Sequence, residues 1–157
     1  MSTLILYMTK HGTTEKMAKL LRNELNESNI HLINLRNENP PDLSKFYKII
    51  IGASIHAGTV QKKIKKFCEN NLETLQTKRI GLFLCCMDKN KVKEQFYNAF
   101  PEALRLQSDC NSYFGGEFLL DKMNFLEKAV VKKVAGVNDS VSNINQEEIK
   151  KFAQRLR

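Results

Sequence analysis

Along this chain, continuous apolar runs of strand length alternate with apolar residues spaced for one face of a helix. That alternation points to a parallel sheet flanked by helices. Leu4-Ile5-Leu6-Tyr7-Met8 is the first such run and reads as a strand buried on both faces. Thr14, Met17, Ala18, Leu21 and Leu25 then recur at i, i+3, i+4, i+7 and i+11, which is the stripe of a helix ending near Asn26. Residues 30–35 form a second strand whose His31 and Asn34 suit an edge, and Pro40 and Pro41 assign 37–42 to a loop.

Residues 47–53 predict the third strand, followed by the turn Ser54-Ile55-His56-Ala57-Gly58-Thr59. A helix over 60–75 turns Val60, Ile64, Phe67, Cys68 and Leu75 inward and Lys62, Lys63, Lys65 and Lys66 outward, by default a solvated face. The fourth strand covers 80–86, and a helix over 90–99 is ended or kinked by Pro101. Residues 112–120 form the fifth strand, and helices follow over 123–135 and 146–156. Right-handed crossovers between such strands give an α/β, three-layer, doubly wound domain with five parallel strands. Its ligands belong beyond the carboxyl ends of the strands, where the loops 9–14, 54–59 and 86–90 gather.

The first of these loops carries the clearest chemistry. In Thr9-Lys10-His11-Gly12-Thr13-Thr14, hydroxyls and a glycine stand between a strand and a helix start. The first amides of a helix lack intrahelical partners and carry the positive end of the helix dipole, so they attract an anion. Gly12 permits close backbone approach, and the threonines complete a set of donors. Neither the Gly-x-x-x-x-Gly-Lys-Ser/Thr nor the Gly-x-Gly-x-x-Gly nucleotide motif occurs, so the expected cargo is a monophosphate. The alternative for Thr9, Gly12, Thr13 and Thr14 is simple helix capping; four such residues in one turn at a strand's carboxyl end favour binding.

Composition narrows the picture little further. With 157 residues and 42% hydrophobic content, the chain is expected to be one domain spanning 1–157. No apolar run of about 18 residues and no leader-like N-terminus are present, so an intracellular, cytoplasmic location is expected. Cys68, Cys85, Cys86 and Cys110 lack metal or disulfide spacing and read as buried thiols, with Cys85 and Cys86 on opposite sheet faces. The net charge of +8 suits an acidic partner or an anionic surface. Nucleic acid is not expected, because aromatic and basic residues do not interleave and no helix-turn-helix pattern occurs.

These residues together resemble the flavodoxin superfamily over nearly the whole chain. The turn Thr9 to Thr14 matches the family's Thr/Ser-x-Thr-Gly-x-Thr phosphate loop, with His11 in place of one hydroxyl. Ile50-Ile51-Gly52-Ala53-Ser54-Ile55-His56-Ala57-Gly58, the stretch Tyr113-Phe114-Gly115-Gly116-Glu117 and the helix ending at Gly136 look most like the branch that includes the menaquinone-dependent protoporphyrinogen oxidases. The resemblance implies strand order 2-1-3-4-5 and a noncovalent FMN. Its phosphate would lie on Thr9, Lys10, His11, Gly12, Thr13 and Thr14. Its ring would lie between Ala53, Ser54, Ile55, His56, Ala57 and Gly58 on one side and Cys86, Met87 and Asp88 on the other, with Gly58 near the flavin N5.

The implied function is an FMN-binding redox protein carrying electrons between protein partners. The alternatives are a quinone-linked oxidase of the protoporphyrinogen type and a flavin-free interaction module on the same fold. His56 either borders the flavin or is an ordinary loop residue. Tyr113 and Phe114 begin a core strand, from which one ring could reach the flavin. On the helix over 123–135, Met123, Leu126, Val130 and Val134 form a stripe that core packing explains. Its alternative is a docking surface for a membrane, a quinone or a redox partner, given the surrounding Lys122, Lys128, Lys132 and Lys133.

Overall fold

The computed structural model describes residues 2–56 and 58–157. In chain order the elements are β1 (Ser2–Tyr7), α1 (Thr13–Leu25), β2 (Ile30–Asn34), β3 (Phe46–His56), β4 (Thr59–Val60), α2 (Lys62–Asn70), α3 (Leu72–Gln76) and β5 (Arg79–Cys85). They continue with α4 (Val92–Ala99), α5 (Glu102–Gln107), β6 (Cys110–Tyr113), β7 (Glu117–Phe118), α6 (Phe125–Ala135), β8 (Val141–Ser142) and α7 (Gln146–Leu156). The main sheet runs β2-β1-β3-β5-β6 with every pairing parallel. This is the expected order 2-1-3-4-5 once β4, a two-residue arm folded back antiparallel on β3, is set aside.

Alternation along the strands sorts the core into two halves. On one face Leu4, Leu6, Ile49, Ile51, Leu82 and Leu84 meet α2 to α5 through residues such as Ile64, Phe67, Leu75, Phe96 and Leu104. On the other face Ile5, Ile50 and Phe83 meet α1 and α7 through Met17, Leu21, Ile149, Phe152 and Leu156. The predicted stripe of α1 is buried at all five positions. Cys85 and Cys86 fall on opposite faces, in the two separate clusters. The second face centres on Phe83, stacked on Phe114 at 4.6 Å and edge-on to Phe152. Gly52 makes room for it: a Cβ there would stand 2.1 Å from the Phe83 ring.

Four elements differ from expectation. The helix expected over 60–75 breaks at Asn71, whose backbone leaves helical geometry at φ −116 and ψ 15 while both its N–H and its side-chain amide donate to the Phe67 carbonyl. Its first residue, Val60, belongs to β4, because β3 continues to His56 and closes a hairpin with it. Pro101, expected to end or kink a helix, ends α4 and also starts α5, a fixed φ being well suited to a helix entry. The fifth strand, expected over 112–120, is Cys110–Tyr113; Gly115, at φ 82, turns the chain out of the sheet.

The largest correction concerns α6. It contains no buried residue, and Leu126 and Val134, expected in the core, are 73% and 81% exposed. Core packing therefore does not explain its stripe. The segment 117–142 leaves the sheet after Gly116 and returns through the antiparallel pair β7–β8, so α6 stands outside the layered core.

At the opposite edge from the carboxyl-end loops, Lys48 is fully buried on β3. Its ammonium is held by Glu27, which also accepts from the Thr3 hydroxyl at 2.6 Å. Partial burial raises the carboxyl of Glu27, but the hydrogen bonds from Lys48 and Thr3 outweigh it and hold its pKa below the ordinary value. Removing one partner of such a pair strands a buried charge. Glu27→Ala is expected to lower unfolding free energy by about 3 kcal/mol, and Lys48→Met in that background to restore most of it. Urea denaturation of the two variants checks this; equal loss in both would mean that the pair is not the source.

Candidate functional site

Because β1, β3 and β5 are parallel, their carboxyl ends lie along one edge, and that edge carries the loops of interest. β1 ends at Tyr7 and α1 begins at Thr13, with Gly12 as its N-cap at φ 96 and ψ −7. That left-handed conformation strains any residue with a Cβ, so the turn needs glycine. No side chain caps α1. Its first amides therefore point out of the helix without a capping partner, with the dipole's positive end behind them.

The three threonines of this turn have different surroundings. Thr9 is buried, and its hydroxyl oxygen accepts the Gly12 N–H at 2.9 Å, which shapes the turn. Thr13 donates its hydroxyl to Glu117 Oε2 at 3.0 Å. Thr14 is 1% exposed, on the inner stripe of α1.

Around this turn stand Lys10, His11, Lys16 and Lys122, the Lys122 ammonium 3.6 Å from where a Gly12 Cβ would lie. Two carboxylates answer them. Glu127 of α6 pairs with Lys10 and lies 3.6 Å from His11 Nε2. Glu117 of β7 pairs with Lys16 at 3.0 Å, accepts from Thr13, and accepts from the Ser142 hydroxyl at 2.8 Å. Burial works against the ionised Glu117, but the bonds from Ser142, Lys16 and Thr13 hold its pKa below the ordinary value. Both carboxylates belong to the segment that follows Gly116, so that segment is tied to the first turn at two points.

The second loop begins on β3. Ala53 is buried in the core, and the Ser54 hydroxyl donates to the Met8 carbonyl at 3.3 Å, joining the ends of β3 and β1. Ile55 pairs with Val60 and His56 with Thr59, whose hydroxyl donates to the His56 carbonyl at 3.0 Å. Ala57 lies outside the described residues. Gly58, at φ 74, is exposed with open space around it. The His56 ring meets His11 edge-on at 5.4 Å, so the first two loops touch through their histidines.

In the third loop, Cys86 is buried and fully engaged. Its N–H donates to the Gly115 carbonyl at 2.8 Å, its carbonyl accepts from the Tyr113 hydroxyl at 2.6 Å, and its thiol donates to Gln95. Burial pushes the Tyr113 phenol up to about 12, so it stays a donor. Phe114 is fully buried in the core. Met87 is half-buried, and Asp88 is exposed, accepting from the Asn90 N–H.

The sequence-predicted residues therefore converge on one edge, with different surfaces available. Gly12, Thr13, Lys10, His11, His56 and Gly58 reach solvent there, whereas Thr14, Ala53 and Cys86 are buried. The uncapped α1 amides, together with Lys16 and Lys122, suit a phosphate ester, which would share Lys10 and Lys16 with Glu127 and Glu117. Those two carboxylates, Lys16 and Lys122 were not among the predicted site residues. Asn124-x-x-Glu127 is readable in sequence as a capping box, and the structure forms it. Its second role, across 117 residues to Lys10, has no local signal.

A family model described as flavodoxin domain matches residues 4–143. The chain belongs to the flavodoxin family. Flavodoxin 2 of Bacillus cereus superposes with a TM-score of 0.62 at 17% identity, over 99% of this chain and 97% of that one. A Fusobacterium nucleatum flavodoxin, described as bound to flavin mononucleotide, does so at 0.54 and 14%, over 99% and 97%. Protoporphyrinogen IX dehydrogenase [quinone] of Escherichia coli (strain K12) is 30% identical over 79 residues, which is 49% of this chain and 44% of that protein. The match thus spans less than half the length of that curated relative.

The paired histidines at this edge give the fold a pH dependence. Burial, and then the positive charges of His11, Lys10 and Arg36, lower the pKa of His56 from 6.5 to about 4, and His11 is lowered by burial and Lys10. Between those two values the unfolded chain takes up a proton at His56 that the folded one refuses. Stability therefore falls as pH drops from 6.5 toward 4. His56→Gln is expected to flatten that fall in thermal melts collected across this range. An unchanged slope would show that His56 is no more depressed than in the unfolded chain.

Proposed function

We propose that this protein binds FMN at the carboxyl edge of its sheet and carries electrons between redox partner proteins. The observation that carries this reading is the uncapped N-terminus of α1, which opens on that edge through Gly12 and is ringed by Lys10, Lys16 and Lys122. A dianionic phosphate finds there backbone donors, a helix dipole and mobile cations. The relative from Fusobacterium nucleatum, described as bound to flavin mononucleotide, supports FMN as the phosphate's owner. In this reading residues 9–14 hold the phosphate, with Thr9 and Thr14 shaping the turn from within. Residues 53–58 and 86–88 border the ring system, with Gly58 contributing backbone and His56 a neutral ring.

FMN, when bound, supplies one- and two-electron redox chemistry. The chain supplies orientation, exclusion of water and the local field. Each charge-assisted hydrogen bond to the phosphate contributes about 1.5 kcal/mol, so riboflavin, which lacks that group, is expected to bind at least ~10-fold more weakly than FMN. Fluorescence titration of the flavin-stripped protein with both ligands measures the ratio. Equal affinities would remove the phosphate turn from the reading, and no binding of either, in a protein purified colourless, would favour the flavin-free interaction module.

A second reading is quinone-linked oxidation of a porphyrinogen. The observation that favours it is the match to proteins named protoporphyrinogen IX dehydrogenase, together with apolar surface on α6 beside the phosphate turn. The two readings part in two measurements. An electron carrier is expected to be reduced by dithionite in separate one-electron steps and to leave protoporphyrinogen untouched. Turnover of protoporphyrinogen with menaquinone would replace the carrier reading by the enzyme.

A further inference from the structure

The helix α6 turns most of its apolar residues outward: only Glu127, Lys128 and Val131 are half-buried, and the rest of the helix is exposed. Phe125 is 84% exposed, Leu126 73%, Val130 50% and Val134 81%; these are four of the six large apolar side chains exposed among the described residues. At about 100° per residue, Leu126, Val130 and Val134 form one outward stripe, with Lys133 and Ala129 beside it and Phe125 further round the exposed side. The inward side carries Glu127, gripped by Lys10 and His11 and closed in the capping box with Asn124. A helix left in water alone would be expected the other way round.

Cations edge this apolar face. Lys122, Lys132 and Lys133 are exposed and Lys128 is half-buried. Glu127 is the only acid on the helix, and its carboxylate is occupied by Lys10. The flanking Asp121 accepts from the Ser140 hydroxyl, and Asp139 stands beyond the helix end. Pairing this face with a second copy would bring like-charged lysines together. Anionic lipid headgroups answer both features, with apolar side chains below and lysines at headgroup level. With 11 residues, α6 is about 16 Å long, against about 30 Å for a bilayer's hydrocarbon core, and so lies along a surface.

We propose that α6 docks this protein on an anionic lipid bilayer, through Phe125, Leu126, Val130 and Val134 inserted at the headgroup boundary and Lys132 and Lys133 paired with headgroups. Glu127 then links the docked helix to the turn at Lys10, and the sheet edge carrying the candidate site lies close to the membrane. This surface does not depend on a bound flavin.

Vesicle sedimentation tests the proposal on the full chain, with and without added FMN. Vesicles of phosphatidylcholine with phosphatidylglycerol are expected to bind it at low salt and to release it at ~0.5 M salt. Both Leu126→Ser/Val130→Ser and Lys132→Glu/Lys133→Glu are expected to weaken binding at least ~10-fold, each lysine near the surface being worth about 1 kcal/mol. These side chains touch no core, and circular dichroism verifies that the variants are folded. Absence of binding, equal binding to pure phosphatidylcholine vesicles, or a dimer by analytical ultracentrifugation that Leu126→Ser/Val130→Ser dissolves would each overturn the proposal. FMN binding by the same samples is read separately, so failure of one reading does not imply failure of the other.

Discussion

Burial of the sheet on both faces is the constraint from which the other features follow. Residues 3–7 of β1, 48–54 of β3 and 80–85 of β5 are buried, so the central strands can display nothing to solvent along their length. Polar chemistry is confined to their ends, and parallel pairing puts all the carboxyl ends on one edge. The turn at Gly12, the hairpin at Gly58 and the loop after Cys86 are neighbours for this reason, although they lie far apart in sequence. Each fully buried Leu, Ile or Phe contributes roughly 1.5–3 kcal/mol, and that shared burial holds the edge rigid.

A second constraint acts at the end of β6. Gly115 accepts from the Cys86 N–H, Gly116 accepts from the Asn143 N–H, and a Cβ on Gly115 would stand 1.9 Å from the Asn143 carbonyl oxygen. The two ends of the segment containing α6 are therefore pressed against each other and against the third loop with no space for a side chain. This clasp brings Glu117 onto the N-terminus of α1 and lets Glu127 reach Lys10. Carboxylates at a helix N-terminus are favourable to the dipole, and here they also neutralise the lysines that would otherwise repel one another. The turn is thus electrostatically balanced by groups from a different part of the chain.

How far the sequence could carry this is visible element by element. The buried stripe of α1, the strand order and the three edge loops were legible because each rests on a local period or turn signal. The break at Asn71 was not, since the apolar stripe runs unbroken across the one residue whose backbone leaves helical geometry. Nor was the orientation of α6. Its periodicity marks an apolar side without saying which way that side faces, and the answer came from Glu127, whose partner lies 117 residues away. Within the edge, sequence named the loops but could not distinguish Thr13, which reaches the surface, from Thr14, which is buried on the inner stripe of α1. Helical phase separates them, and only the position of α1 on the sheet gives that phase a direction.

The orientation of α6 carries one more consequence. Phe125, Leu126, Val130 and Val134 keep most of their apolar surface in contact with water, where burial would contribute stability. The alternative of turning α6 over would bury them, but it would also release Glu127 from Lys10 and His11 and put Lys132 and Lys133 against the domain. Near the site an unpaired Lys10 would add to the charges of Lys16, Lys122 and Arg36. The ion pair is partly solvent-exposed and weak alone, so it does not by itself hold an apolar face outward. What holds it is the combination of the pair with the clasp at Gly115 and Gly116 and with the two-residue β7–β8 ladder, which limits how α6 can rotate. The apolar face is therefore a product of how the segment is anchored, and its exposure belongs to the folded state and not to a frayed end.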